Sequence, residues 1–118
     1  MKYRTGFVSN SSSCSFSITN TSNSPKTIVD FAKENIYLLD KFNDDYDWYN
    51  FTKEQLLLSA KKRLGRNSSD EYRFKPHETK VLVFGDEQND VIGNIYDYML
   101  RDSNESKNFA WHLEEMLR

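Results

Sequence analysis

The residues best suited to chemistry lie in an acidic stretch between two predicted helices. If Asn43 is position 1 of a calcium-binding loop, Asp45 and Asp47 fall at positions 3 and 5, Tyr49 at position 7 and Glu54 at position 12. This is nearly the spacing of oxygen ligands in a helix–loop–helix calcium site. The stretch is therefore the first candidate for a metal site.

Two features of the same stretch argue against bound calcium. Position 6 is Trp48, where the sharp turn of a calcium loop calls for glycine. Thr52 and Gln55 form a capping box, which starts the next helix where the loop should still surround the ion. We therefore favour an acidic connecting loop, with Trp48 and Tyr49 tucked under the helix pair, and expect no cofactor. Calcium binding stays the alternative.

Four basic residues cluster at the end of the second predicted helix: Lys61, Lys62, Arg63 and Arg66. Cations at a helix C-terminus interact favourably with the helix dipole, which is a sufficient reason for their position. The alternative is that they contact the phosphates of a nucleic acid, but no aromatic platform or zinc-ligand spacing accompanies them. We favour a solvated helix end.

The single cysteine, Cys14, is a nucleophile only if His77 or His112 lies beside it in the fold. Cys14, Phe16 and Ile18 alternate with period two, which places the thiol on the buried side of a strand. A lone cysteine there behaves as a small apolar residue. We therefore expect a non-enzymatic protein.

The N-terminal stretch combines apolar residues with a serine-rich run over residues 9–15. The run lacks the glycines and lysine of a phosphate-binding loop. An exposed linker open to modification or cleavage is a second interpretation. Local turns satisfied by the Ser and Asn side chains are the default. Together with the aromatic loop, this stretch supplies the candidate partner-binding residues Phe7, Val8, Ser9, Asn10, Ser11, Trp48 and Tyr49.

The segment from Gly6 to Phe16 reads GFVSNSSSCSF. It resembles the GFVSNSSSSSF opening that is shared by many small, mostly uncharacterised proteins encoded by tailed bacteriophages and by some bacterial genomes. The segment departs from that pattern only at Cys14, where a serine is usual. The resemblance implies a phage or prophage protein that works in the cytoplasm of a bacterial host. It implies no activity and no role for any residue.

Composition narrows the class of protein. The chain of 118 residues suits one domain with a modest core. Its 16 basic and 18 acidic residues give a net charge of -2, which disfavours nonspecific binding to nucleic acid. One cysteine excludes an internal disulfide and suits a reducing cytoplasm. No apolar run approaches the length that a bilayer requires, so we expect no membrane partner.

The element pattern predicts short strands separated by helices, with two helices in succession. The predicted strands are residues 14–18, 71–74 and 79–84, the last a central strand covered on both faces because of its continuous apolar run. The first predicted helix runs from the Ser24 cap to Phe42. The second runs from Thr52 to a left-handed stop at Gly65, with four residues buried: Leu56, Leu57, Ala60 and Leu64. The third begins at Asn89 or Asp90 and turns four residues inward: Ile92, Ile95, Tyr96 and Met99. Residues 108–117 fit a helix or a strand paired with 79–84, and we favour the helix.

These elements predict an α+β fold with a small antiparallel or mixed sheet of about three strands packed against three to four helices. We expect one domain over residues 1–118, with 1–13 as a flexible or docking arm. The predicted function is binding of a host or phage protein, because Tyr and Trp suit interfaces. The alternatives are a nucleic-acid-associated regulator and a virion or assembly component with an N-terminal docking tag. The partner's identity and the oligomeric state stay open.

Overall fold

The computed structural model describes residues 13–46, 50–65, 70–85 and 90–117. Within these ranges the chain has four helices, one four-stranded antiparallel sheet and one two-stranded sheet. The predicted α+β class is confirmed, with one strand more in the main sheet than expected. In chain order the elements are β1 (Ser13–Asn20), β2 (Lys26–Thr27), α1 (Ile28–Glu34), α2 (Tyr37–Asp45), α3 (Lys53–Gly65), β3 (Arg73–Phe74), β4 (Thr79–Gly85), α4 (Val91–Met99), β5 (Asn104–Glu105) and β6 (Phe109–Leu117).

The main sheet has the strand order β4-β1-β6-β5, so β1 is a central strand. As predicted, Cys14, Phe16 and Ile18 lie on one face of β1, and all three side chains are fully buried. Leu82 and Phe84 of β4 are buried with them. Alternation with period two therefore gives the sheet one apolar face, which is covered by the helices.

Aromatic side chains hold the helices to this face. The ring of Phe31 in α1 makes edge-to-face contacts with Tyr96 of α4 and with Phe109 and Trp111 of β6, at centroid distances of 5.3, 5.1 and 5.3 Å. Such contacts favour the pair by about 0.5–1.5 kcal/mol each beyond the burial of area. Phe31 thus connects three elements that are distant in sequence.

The first predicted helix starts later than expected and is divided in two. Thr27, not Ser24, is the N-cap, and it forms a capping box with Asp30: the Thr27 hydroxyl accepts from the Asp30 N–H, and the Asp30 carboxylate accepts from the Thr27 N–H. Residues 26–27 pair with β3, so they are not available to a helix. The break follows at Asn35, whose side-chain amide donates to the Phe31 carbonyl.

Helix α3 is confirmed with its predicted capping box. The Thr52 N–H donates to Gln55 Oε1 over 2.8 Å, and the Gln55 N–H donates to Thr52 Oγ1 over 3.1 Å. The buried stripe differs from the expected one: Leu56 and Ala60 are buried with Ser59 and Arg63, whereas Leu57 and Leu64 are half-buried. Gly65 is the last helical residue and has a negative φ, so the predicted left-handed stop is wrong.

The run over residues 79–84 forms a strand, but the prediction that it is central and covered on both faces is wrong. β4 is an edge strand that pairs with β1 on one side. Its Val81 and Val83 side chains are 58% and 45% exposed. A continuous apolar run does not reveal whether a second layer covers it, and here only the Leu82 and Phe84 side is covered.

The preference for a helix over residues 108–117 is also wrong, because β6 pairs with the whole length of β1. The alternative pairing with residues 79–84 is not made either, since β1 lies between the two strands. The pairing shifts between Ser15 and Phe16, which face Glu115 and Leu113, so Glu114 is the extra residue of a β-bulge. The bulge accommodates Glu114, which has a poor preference for strands, outside the regular pairing with β1.

Helix α4 begins after Asp90, as predicted, with Ile92, Ile95 and Tyr96 buried and Met99 half-buried. The predicted strand over 71–74 is shorter, comprising the two residues of β3. None of the helices in the described ranges is long and apolar enough to cross a membrane.

Candidate functional site

The face of the main sheet opposite the core leaves side chains exposed, and we call it the open face. The register places three residues side by side across β4, β1 and β6 in each of three rows. The rows are Thr79, Thr19 and Ala110; Val81, Ser17 and His112; and Val83, Ser15 and Glu115. On this face β1 contributes only hydroxyl side chains, so it forms the floor of a shallow trough between β4 and β6. Ser15 and Ser17 in this floor are buried between the larger side chains of the flanking strands.

The two sides of the trough differ in chemistry. On the β4 side, Val81 and Val83 form an apolar ridge and are more exposed than most apolar side chains of the fold. On the β6 side, His112, Glu114 and Glu115 are exposed and polar. An apolar ridge beside an acidic one is suited to an amphipathic ligand, because each ridge contacts a different kind of side chain.

A hydrogen-bonded Ser–His–Glu chain crosses the open face. Ser17 Oγ lies 3.0 Å from His112 Nδ1, and His112 Nε2 lies 2.8 Å from Glu114 Oε2. These are the residue types of a hydrolytic triad, but hydrolysis also needs free N–H donors for an oxyanion. Ser17 lies in the middle of a central strand, where β4 and β6 take up the flanking backbone groups. We assign this series of hydrogen bonds from Ser17 through His112 to Glu114 a structural role, which is to hold the His112 ring over the trough.

The edge of β4 is closed by Arg63 from α3. Its guanidinium donates to the Val83 carbonyl and to the Tyr72 hydroxyl over 3.0 Å each, and it forms an ion pair with Asp90. The Arg63 carbon Cζ also lies 4.8 Å from the centre of the Phe84 ring. A partner strand that added to β4 would have to displace this side chain, so the open face is more accessible than the edge.

The basic cluster expected at the end of α3 is therefore divided. Lys61 and Lys62 are exposed, whereas Arg63 is 7% exposed and its charge is used inside the fold. Burial acts to lower the pKa of Arg63, but the hydrogen bonds and charge of Asp90 outweigh it and raise the pKa above its usual value. Arg66 lies outside the described residues.

Cys14 does not lie beside either histidine. Its side chain lies in the core, whereas His112 lies on the opposite face of the same sheet and His77 lies in the turn before β4. Burial raises the pKa of the Cys14 thiol, and the neighbouring Asp97 carboxylate raises it further. A thiol with a raised pKa is a poor nucleophile near neutral pH. The position fits the expected buried apolar role.

The predicted calcium-binding loop does not have the local structure that the hypothesis requires. Asn43 and Asp45 belong to α2 rather than to a loop. The Asn43 side-chain amide donates to the Phe51 carbonyl over 2.8 Å, and its oxygen accepts from the Phe51 N–H over 3.2 Å. Asn43 thus joins the end of α2 to the start of α3. The described residues contain no group of three or more His, Cys, Asp or Glu side chains placed to hold a metal ion.

Glu54, the last of the predicted calcium ligands, lies in the first turn of α3. The remaining candidates from the sequence lie outside the described residues. They are Phe7, Val8, Ser9, Asn10 and Ser11 of the N-terminal stretch, and Asp47, Trp48 and Tyr49 of the acidic loop. Sequence reasoning missed the open face altogether. The alternation of Ser15, Ser17 and Thr19 in β1 was a usable signal, because it shows that the second face of this strand is polar.

We compared the chain with protein-family models, with curated proteins and with solved structures, and no match was found in any of the three.

Proposed function

We propose that this chain is a small non-enzymatic protein of phage or prophage origin that binds a host or phage protein in the bacterial cytoplasm, and that it does so through the open face. The observation that carries the proposal is the exposure of Val81 and Val83 side by side on a sheet face. Exposed apolar groups that adjoin a polar rim are characteristic of protein-binding sites. The resemblance of residues 6–16 supports the phage origin.

The charges of the open face indicate the partner's chemistry. Glu114 and Glu115 lie on the β6 side, and the valines lie on the β4 side. We therefore propose a partner segment with an apolar stripe that covers Val81 and Val83 and with Lys or Arg on one flank. Electrostatic complementarity of this kind increases the association rate and selects the register.

A second copy of the chain fits this face less well. If two copies pack open face to open face with β4 over β4, the glutamates of one β6 lie over those of the other. If β4 of each copy lies over β6 of the other, valines cover Glu114 and Glu115. The first arrangement juxtaposes like charges, and the second desolvates carboxylates without a partner. A partner with basic residues avoids both costs.

The test is affinity capture from host lysate, followed by direct binding with the purified partner. We expect Val81→Lys with Val83→Lys to abolish binding, and Glu114→Lys with Glu115→Lys to weaken it. Leu58→Lys is the matched control, because Leu58 is 54% exposed on α3 and lies away from the open face. A partner that binds the valine variant as well as the unmodified chain would refute this function, as would the absence of any stoichiometric partner.

The nucleic-acid alternative rests on the basic end of α3, where Lys61 and Lys62 are exposed and Arg63 is not. If these lysines contact phosphates, binding of nucleic acid falls steeply with added salt. Charge reversal at Lys61 and Lys62 then abolishes it, whereas the valine variant does not. The third function, a virion component with an N-terminal docking tag, predicts the protein in purified particles.

A further inference from the structure

A cleft of about 320 Å³ opens where β2 and β3 meet the start of β4. Four of its lining residues are cationic, namely Lys26, Arg73, Lys75 and Lys80, and two are acidic, Asp70 and Glu78. The cleft therefore carries two more positive than negative charges, although the whole chain has a net charge of -2. A local excess of this sign attracts anions.

The two acidic residues contribute to the walls of the cleft. Glu78 Oε1 accepts from the Lys75 N–H over 2.8 Å, and the Glu78 N–H donates to the Lys75 carbonyl over 3.0 Å, so Glu78 fixes the turn before β4. Asp70 presents its backbone carbonyl to Lys80 Nζ at 2.6 Å. Of these contacts, only the one from Asp70 engages a cationic group of the cleft, the Lys80 ammonium.

Lys80 is half-buried, with 20% of its side chain exposed. An ammonium group has three hydrogens, and the Asp70 carbonyl takes one of them. The Glu78 carboxylate lies 3.9 Å away, which is an ion pair but too long for a hydrogen bond. Lys80 is thus held in place and still has donors for an anion.

The backbone around the cleft is fixed by the side chain of Asn20, which is fully buried. Its amide nitrogen lies 2.8 Å from the Ser24 carbonyl, 3.4 Å from the Phe74 carbonyl and 3.2 Å from the Lys75 carbonyl. This amide joins the segment before β2 to the segment after β3. The cleft is therefore formed before any ligand arrives, and a preformed site loses less entropy on binding.

We propose that this cleft binds the phosphate group of a small phosphorylated compound. A phosphate monoester is a dianion near neutral pH, which matches the excess charge of the cleft. The planar guanidinium of Arg73 donates to two oxygens at once, and Lys75 and Lys80 act as point charges. The volume lies at the lower end of small-molecule sites, which span roughly 300–1,000 Å³.

A compact ligand fits better than a nucleic-acid strand. Asp70 and Glu78 lie among the cations and would repel a polyanion that extended past the cleft. The net negative charge of the chain acts in the same direction over longer distances. The inference is independent of the proposed protein partner, because Lys80 lies on the side of β4 opposite to Val81 and Val83.

The experiment titrates the full chain with phenyl phosphate while amide NMR shifts are recorded, with phenol and a short oligothymidylate as comparisons. We expect saturable shifts around Arg73, Lys75 and Lys80 with phenyl phosphate and none with phenol. Arg73→Gln with Lys75→Gln should weaken binding by about ten-fold or more, because both side chains donate charged hydrogen bonds. Both side chains are exposed, so the fold does not depend on them.

The matched control is Lys61→Gln with Lys62→Gln, which removes the same charge from the exposed end of α3. It should leave the affinity for phenyl phosphate unchanged. Equal loss in both double variants would show a general effect of charge and overturn the site. Shifts that map elsewhere, no saturation in the millimolar range, or tighter binding of the oligothymidylate at Arg73 and Lys75 would also overturn the proposal.

Discussion

The Arg63 guanidinium and the Asp90 carboxylate form an ion pair between α3 and the start of α4. The side chains are 7% and 12% exposed, so the pair is largely removed from water. Arg63 also donates to the Val83 carbonyl on β4. One side chain therefore joins two helices to the edge of the sheet, and Asp90 makes its burial possible.

Replacing Asp90 should be among the most damaging single changes. Asp90→Ala leaves a buried guanidinium without its counter-charge, which costs about 3–5 kcal/mol in the free energy of unfolding. Arg63→Met combined with Asp90→Ala should lose less than Asp90→Ala alone, since no unpaired charge then remains. Urea denaturation of the two single variants and the double variant measures this coupling. Additive losses would show that the pair does not act as a unit.

Two glycines in helices should respond in opposite ways to alanine. A Cβ at Gly93 would lie 2.7 Å from the Gly85 carbonyl oxygen and within contact of the Asp90 carboxylate, whereas a Cβ at Gly65 meets nothing within 4 Å. Gly93→Ala should therefore destabilise the fold by about 1–3 kcal/mol through overpacking. Gly65→Ala should be neutral or stabilising by up to about 1 kcal/mol, because alanine favours the helix. Thermal unfolding of both variants is the measurement, and equal effects would contradict it.

Tyr96 is fully buried, and its hydroxyl has no hydrogen-bond partner within the described residues. Its ring contacts Phe31 and Phe84 at centroid distances of 5.3 and 5.2 Å, and both contacts survive in Tyr96→Phe. The variant should be as stable as the unmodified chain at neutral pH, or more stable by about 1 kcal/mol, because an unsatisfied polar group is removed. A large loss of stability in denaturant titration would show that the hydroxyl has a partner.

The same residue predicts an effect at alkaline pH. Burial raises the pKa of Tyr96 well above its ordinary value of 10.0, so the unfolded chain loses this proton first. The stability that depends on the neutral hydroxyl is therefore complete below pH 10 and is lost as pH rises above it. Tyr96→Phe should show a smaller loss over that range in the same denaturant titration. Parallel curves for both proteins would rule out this linkage.

Glu34 predicts the opposite dependence in acid. Burial acts to raise its pKa, but hydrogen bonds from Ser106 and Asn108, with the charge of Lys26, outweigh burial and lower the pKa below 4.5. The unfolded chain therefore binds this proton first, so the contribution is complete above about pH 4.5 and falls as the pH drops towards the folded pKa. Glu34→Gln should be less stable near pH 7, and the difference should narrow towards pH 3. A constant difference would contradict this assignment.

Local signals predicted the elements whose ends are fixed by their own side chains. The Thr52 and Gln55 pair located α3, and the alternation of Cys14, Phe16 and Ile18 located β1. The signal failed for β6, because Glu114 and Glu115 have poor strand preference and only the pairing with β1 overrides it. Residues 109–117 therefore form a strand because of their pairing with β1, and not because of their own strand preference.

The candidate sites were less predictable than the elements. The cleft draws Lys26, Arg73 and Lys80 from three separate segments. The pairing of β2 with β3, which brings Lys26 near Arg73, involves two residues on each strand. The sequence pattern of such short strands is too weak to detect. The charge of Arg63 predicts the same solvated role as that of Lys61 and Lys62, but its buried role depends on Asp90, which is 27 residues later.

The central position of β1 has a consequence for the order of assembly during synthesis. Ser17 and its partner His112 are 95 residues apart, and β1 is the first of the described strands to leave the ribosome. Until β6 follows, one edge of β1 has no strand to pair with, and its apolar side chains lack part of their cover. Pairings of such long range also slow folding. The nascent chain therefore carries an unpaired, aggregation-prone edge until β6 has been synthesised.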